Sequence, residues 1–247
     1  MKFYLKKKLN KPDIIFFDLD NTMYAYQSSH EYAIKKIKSY FFKNYNLSQN
    51  TFANFYEKAK NIVKNQLKNT ASSHSRILYF QKMFEIMNLG SQVKKSLLLE
   101  NMYWKFFFKK TYLFPGTVNF LKNLKKNNIS TGIITDLTTQ IQFKKLIHFK
   151  IYKYFDSITT SEEVMCDKPK KKIFIQAKKK FTNKKNIWMI GDNLLRDIKG
   201  SKDSLRATTF HKINNSYPRY KNLKPDYAFK NFSEINNFFK KLIEDAK

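Results

Sequence analysis

PDIIFFDLDNTMY, residues Pro12 to Tyr24, is the stretch on which the fold turns. Ile14 to Phe17 form an unbroken apolar run, the pattern of a strand buried on both faces. The run stops at Asp18, and Asp20 and Thr22 follow at alternate positions. Residues two apart point the same way in an extended chain, so the two carboxylates converge. Like charges this close need a cation between them, or one carboxyl must keep its proton. An all-oxygen pair suits a hard ion such as Mg²⁺, which binds through one or two carboxylates plus substrate phosphate.

Downstream from Leu113, short apolar strands alternate with amphipathic helices. The strands read ISTGIIT, FDSITT, NIWMIG and LRATTF, with a weaker DYAF near the end. Helices such as TVNFLKNLKKN and KIFIQAKKKF lie between them. That alternation predicts an α/β fold, a parallel sheet with helices on both faces, and DIIFF as its first strand. Ligands of such sheets bind beyond the carboxyl ends of the strands. Chemistry-bearing residues stand at those ends: Thr135 and Asp136 after GII, Asp192 and Asp197 in MIGDNLLRD, and Lys168 in CDKPKKKIF at the entry to a helix. Glycine is scarce, five in the chain, and four of them sit in FPGT, STGIIT, MIGDN and IKGS, where backbone demands are expected.

Between Tyr24 and Leu113 the texture is helical. In TFANFYEKAKNIVKNQLKN, Phe52, Phe55, Tyr56, Ala59, Ile62, Val63 and Leu67 share one face, and in SRILYFQKMFEIMNLG so do Ile77, Phe80, Phe84 and Met87. A further helix is expected over Ser29 to Asn44 and another in SQVKKSLLLENMYWKFFFKK, with Gly90 closing the third and Ser91 capping the fourth. These aromatic stripes predict a bundle core, inserted after the first strand of the sheet.

The chain has 247 residues and a formal charge of +29, from 48 Lys+Arg against 19 Asp+Glu. Such an excess can signal nucleic acid or an anionic surface. Lysine dominates, however, with only Arg76, Arg196, Arg206 and Arg219 as arginines, and Asn, Ile and Phe are abundant while Gly is rare. That mixture reads as drift toward A/T-rich codons, and nucleic acid is the less favoured partner. The single cysteine, Cys166, excludes a disulfide within the chain. No apolar run approaches a membrane span, and no secretory leader is expected, so a cytoplasmic location with no membrane partner is the expectation.

The motifs taken together resemble the haloacid dehalogenase-like (HAD) superfamily, in its phosphatase branch. DLDNT is similar to its motif I, IITD to motif II, DKPKKKIF to motif III and GDNLLRD to motif IV. FPGT and KPDYAFKNFSEI also resemble that family's core, so the likeness covers about residues 12–24 and 113–243. The resemblance implies a Rossmann-like core over 1–24 and 113–247, with a four-helix C1 cap over 25–112. The long interval from Asp18 to Thr135 holds such a cap, and the short one from Thr135 to Lys168 leaves no room for a second. It implies a Mg²⁺-dependent phosphomonoesterase acting on a small phosphorylated metabolite. Asp18 would be the nucleophile and Asp20 the acid and base. Thr135 would hold a phosphoryl oxygen, and Lys168 would neutralise charge. Asp18, Asp192 and the main-chain carbonyl of Asp20 would bind the metal. Thr22, Asp136, Asn193 and Asp197 would stand behind these groups, with Asp197 a support or a ligand through water.

Two departures from the family pattern bear on the site. Asp136 stands where many relatives carry Asn or Gly, and it either bonds the nucleophile loop or faces solvent. Lysines follow the proline of motif III where an acid is common. A phosphomutase or a dehalogenase of the same fold is an alternative, the dehalogenase disfavoured because its chemistry uses no second acid at the position of Asp20. A basic nucleic-acid-binding protein on an inactive fold is another. In SSHSRI, Arg76 is a candidate substrate contact, weighed against a capping serine beside a solvated arginine. His30, His148 and His211 read as ordinary structural or surface residues, and Tyr24 and Tyr26 as packing residues.

Overall fold

The computed structural model describes residues 1–4, 9–214, 217–218 and 220–245. Arg219 and the end of the expected core at residue 247 lie outside them. The chain divides into two compact units, residues 1–24 with 112–247, and 25–111. Tyr112 belongs to the first.

The first unit is built on seven strands: β1 (Lys2–Phe3), β2 (Ile14–Phe17), β3 (Ser130–Thr135), β4 (Ser157–Thr160), β5 (Ile187–Gly191), β6 (Thr208–Lys212) and β7 (Tyr227–Phe229). Their order is β1-β7-β6-β5-β2-β3-β4. All neighbours are parallel except the edge pair of β1 with β7. The antiparallel edge was not legible in the sequence, since two residues carry no periodicity.

β2 lies at the centre, and all four of its residues are buried. Phe17 is opposite Ile133 of β3 and Ile190 of β5, so the three strands end within two residues of one another. The pleat sends Ile14 and Phe16 to one face, where they pack with Ile134, Ile173, Phe174 and Met189. Phe17 goes to the other, against Phe120 at 6.2 Å between ring centroids, and Phe120 meets Phe239 at 6.0 Å. Each such ring contributes about 1.5–3 kcal/mol by leaving water, which is why this apolar run makes a strand rather than a surface turn.

The helical unit contains α1 (Tyr26–Tyr45), α2 (Gln49–Gln66), α3 (Arg76–Ile86) and α4 (Val93–Lys109). On α1 the buried residues Ser29, Ala33, Ile37 and Phe41 recur every fourth position. Phe41 meets Phe52 at 5.1 Å and Phe84 at 5.5 Å, joining three helices. Phe52, Tyr56, Ala59 and Val63 of the expected α2 stripe are buried, while Phe55, Ile62 and Leu67 sit part-way out at its margin. Ser48 and Ser75 cap α2 and α3 by accepting from Thr51 N and Leu78 N. The end of α3 and start of α4 differ from expectation. α3 stops at Ile86, with Met87 at its cap and Asn88 in the left-handed region before Gly90. The Ser91 hydroxyl donates to Glu85 Oε1 at 3.1 Å, and Gln92 occupies the cap position of α4 without a side-chain bond.

The remaining helices belong to the first unit: α5 (Thr117–Lys126), α6 (Thr139–His148), α7 (Ser161–Val164), α8 (Lys171–Lys179), α9 (Gly200–Leu205) and α10 (Phe232–Glu244). No helix among the described residues is long and apolar enough to cross a membrane.

Candidate active site

The neighbouring ends of β2, β3 and β5 bring the motif residues together. Lys168, from the segment before α8, reaches back under the sheet end. Its Nζ donates to Asp18 Oδ1 at 2.6 Å, to Asp197 Oδ1 at 2.6 Å and to the carbonyl of Ile134 at 3.0 Å. All three ammonium protons are used, and the side chain is 2% exposed. Burial alone would push the Lys168 ammonium toward neutrality. The carboxylates of Asp18 and Asp197, then Asp136, outweigh it and hold the pKa above its ordinary value.

The turn after β2 is built for its residues. Asn21 takes the left-handed conformation, which asparagine tolerates better than most. Met23 N returns to the carbonyl of Leu19. That turn lets Thr22 fold back, so its hydroxyl donates to Asp18 Oδ2 at 2.9 Å and lies 3.3 Å from Asp192 Oδ1. Asp18 therefore accepts a bond on each oxygen. Burial raises its carboxyl first, Lys168 pulls it back, and Asp197 and Asp20 add to the rise, leaving it at about 6. Asp192, at the end of β5, is pushed up to about 8 by burial and then by the charges of Asp18 and Asp197.

Asp197 stands on a turn of π-helix, Leu194–Lys199, that begins at Asn193. The Asn193 side-chain oxygen, Oδ1, accepts from the main-chain N–H groups of Leu195 and Arg196 at 3.1 and 2.9 Å. Asp197 Oδ2 accepts from Asn193 N at 3.0 Å. Gly191 makes that approach feasible: a Cβ there would meet the Asp197 side chain at 2.4 Å.

Carboxylate oxygens of Asp18, Asp192 and Asp197 can all lie within 4.8 Å of one another. The donor set is oxygen only, and it holds more negative charge than Lys168 cancels, so it fits a hard divalent cation. Both oxygens of Asp197 are already engaged, by Lys168 and Asn193 N, as both of Asp18 are by Lys168 and Thr22, whereas Asp192 accepts only the longer bond from Thr22 among the described hydrogen bonds to its side chain. The Asp20 carboxylate is outside this group. Its oxygens accept from Lys145 Nζ at 2.6 and 2.8 Å, and Oδ1 also accepts from the Tyr24 hydroxyl.

Some of the remaining residues fall where the sequence reading did not put them. Asp136 neither bonds the nucleophile loop nor faces solvent. It is nearly buried, its Oδ1 accepts from Lys168 N at 2.8 Å, and Arg196 lies 3.4 Å from its other oxygen. It thus holds the segment that delivers the lysine. Thr135, 1% exposed, accepts from Gln142 Nε2 at 2.7 Å. His211 is tied to the site, its Nε2 2.7 Å from the carbonyl of Asp192, and burial lowers its pKa. Lys145 and Gln142 could have been found as polar residues sharing the buried face of α6 with Ile141 and Leu146.

Arg76 is not solvated. It is 8% exposed in the helical unit, with Nη1 donating to the carbonyl of His74 and Nη2 to the Tyr26 hydroxyl. The guanidinium carbon lies 5.0 Å from the ring centre of Tyr103 and 5.3 Å from that of Tyr79. Its buried Nε has no hydrogen-bond partner, and no carboxylate among the described residues pairs with it. Burial first, then the charge on Arg76, lowers neighbouring His30 to about 4.

The family model for haloacid dehalogenase-like hydrolases matches residues 12–204. The chain is 31% identical over 192 residues to a ribulose-1,5-bisphosphate 5-phosphatase of Halopiger xanaduensis, across 76% of this chain and 79% of that protein. It is 28% identical over 236 residues to a glyceraldehyde 3-phosphate phosphatase of Methanocaldococcus jannaschii, across 94% and 98%. A HAD phosphatase from Thermococcus onnurineus superposes with a TM-score of 0.68 at 20% identity, over 91% of this chain and 96% of that one. A 2-haloacid dehalogenase from Pseudomonas syringae gives 0.70 at 14%, over 97% and 100%. At such identities the superpositions speak for the fold alone.

Proposed function

The chain belongs to the haloacid dehalogenase-like hydrolases, and on that premise we propose that it is a Mg²⁺-dependent phosphatase of small phosphorylated metabolites. The observation that carries the reading is the pairing of a lysine-held nucleophile, Asp18, with a second acid two residues on. Dehalogenase relatives share the fold, so the fold does not decide between the chemistries. Asp20 supports the phosphatase, because a phosphate ester needs a proton for its leaving oxygen and a base for water.

The reaction runs in two balanced steps. An Asp18 carboxylate oxygen attacks phosphorus, the P–O bond to the ester oxygen breaks, and Asp20 gives that oxygen its proton. Asp20, now a carboxylate, takes a proton from water as the water oxygen attacks phosphorus. The bond between phosphorus and Asp18 breaks, phosphate leaves, and Asp18 and Asp20 return to their starting states. Lys168 cancels charge on Asp18 and the phosphoryl group, and Thr135 donates its hydroxyl to a phosphoryl oxygen. Side chains of Asp18 and Asp192, with the main-chain carbonyl of Asp20, would hold Mg²⁺, which supplies positive charge against the equatorial oxygens. Residues 25–111 act as the C1 cap in this reading, and the location is cytoplasmic. Arg76 contacts a second anionic group of the substrate, since a buried guanidinium lacking a carboxylate is electrostatically unfinished.

The test is phosphate release from a panel that includes ribulose 1,5-bisphosphate, glyceraldehyde 3-phosphate and p-nitrophenyl phosphate, with Mg²⁺ and with chelator. Release should require the metal and vanish in Asp18→Asn. Isomerised sugar phosphate without free phosphate would show a phosphomutase. Silence across the panel, with salt-sensitive DNA binding, would show the basic-surface alternative.

A further inference from the structure

α6 contributes two polar side chains to the site, and no part of the four motifs accounts for either. Gln142 and Lys145 are one turn apart on the buried face of that helix. Gln142 Nε2 donates to Thr135 Oγ1 at 2.7 Å and to the carbonyl of Asp136 at 2.6 Å. Lys145 Nζ donates to both oxygens of Asp20, at 2.6 and 2.8 Å.

The lysine's position is costly unless it has a purpose. Its side chain is 0% exposed, whereas Asp20 is 29% exposed. A buried ammonium loses hydration worth several kcal/mol and regains it only through a well-formed pair. Here the pair is two-pronged, which fixes the plane of the carboxylate as well as its place. The Tyr24 hydroxyl, on a fully buried ring, donates to Oδ1 from the same chain turn, and Lys145 Nζ lies 5.8 Å from the centre of that ring. The Asp20 side chain is thus held from two directions by groups that are themselves immobilised in the core.

We propose that Lys145 is a positioning residue of the catalytic centre, a buried clamp that sets the orientation of the Asp20 carboxylate for its proton transfers. Lys145 moves no proton itself. The inference rests on the phosphatase reading, in which Asp20 is acid and base. Acid–base assistance is worth roughly 10²–10⁴ in rate and depends on reach and angle, so a released carboxylate forfeits part of it. The clamp acts on both steps, with its largest effect where Asp20 must pull a proton from water.

Steady-state and acid-quench kinetics of Lys145→Gln, Lys145→Arg and Asp20→Asn, on whichever ester of the panel above the wild type turns over fastest, test this. Lys145→Gln should lower kcat tenfold to a hundredfold, a fraction of the acid–base range above, with KM within about threefold. Acid-quenched Lys145→Gln should carry more phosphate on Asp18 than the wild type does. Lys145→Arg, which keeps the charge and a two-pronged donor, should recover kcat to within about fivefold. In the Asp20→Asn background, Lys145→Gln should change kcat less than about twofold, because the group it orients is gone. A merely structural lysine would give a lower unfolding midpoint with kcat unchanged, or losses that multiply in the double variant, and either overturns the inference. If Lys145→Gln does not fold, the double-variant comparison is made with Lys145→Met, which also removes the donor, and multiplying losses again overturn it. If the wild type releases no phosphate from any ester, the phosphatase reading fails instead.

Discussion

The two units bury charge in opposite ways. At the strand ends of the first, Asp18, Asp192 and Asp197 crowd around the ammonium of Lys168, with anions in excess. In the helical unit Arg76 sits among Tyr26, Tyr79 and Tyr103, a cation with no carboxylate among the described residues. Buried charge is tolerated only when something completes it. The first cluster asks for a cation and the second for an anion. Under the proposed function a metal ion would complete the first and an anionic substrate group the second, and each cluster can be tested separately.

The largest effect belongs to the ammonium that holds the acids. Lys168→Met should lower kcat about a thousandfold, as loss of a preorganised charge-stabilising group does. A tenfold loss would mean that the acids are organised by something else. Next comes the contact beneath Asp197. Gly191→Ala forces a methyl group against that side chain. The expected cost is about 2 kcal/mol in chemical denaturation, with loss of activity. Unchanged stability would mean that the π-turn yields freely.

Smaller still is the coupling of pH to metal. Asp18 and Asp192 have pKa values of about 6 and about 8 in the folded chain, raised above the ordinary carboxylate range mainly by burial. The folded state therefore binds more protons than the unfolded state between about pH 4 and 8, and the slope of stability against pH is negative there. In chelator the unfolding midpoint should fall by a few degrees across that window. Mg²⁺ should restore it, more at pH 8 than at pH 5. Equal stabilisation at both pH values would place the ion away from these acids.

The smallest effect concerns the helical unit. Arg76→Gln should raise KM for ribulose 1,5-bisphosphate about tenfold, the worth of roughly 1.4 kcal/mol. It should leave p-nitrophenyl phosphate within about threefold. Equal losses on both substrates would make Arg76 a packing residue and remove the anion half of the comparison.

The difference between the clusters also explains what the sequence revealed. An apolar run ending in acid is a strong signal, because carboxylates at strand ends have few roles other than binding. Asp18, Thr135, Lys168 and Asp192 could be singled out for that reason, and the alternation of strands and helices made the sheet readable. Lys145 was hidden among lysines, since 48 Lys+Arg less four arginines leaves 44 of them. Only the buried face of α6 distinguishes it. Asp136 was misjudged because its partner is the backbone of Lys168, far along the chain. Arg76 looked solvated because helical spacing reveals a face but not the aromatic cluster that closes over it. β1 was too short to read, and the Ser91 hydroxyl found Glu85 instead of the helix end.

All of this depends on Asp18 accepting the phosphoryl group. Enzyme turning over p-nitrophenyl phosphate with Mg²⁺ can be quenched in acid, digested and weighed. The peptide containing residues 12–24 should carry one phosphoryl group on Asp18, labile to hydroxylamine, and the Asp18→Asn protein should carry none. Rapid phosphate release with that peptide unmodified, or turnover surviving in Asp18→Asn, would contradict the account.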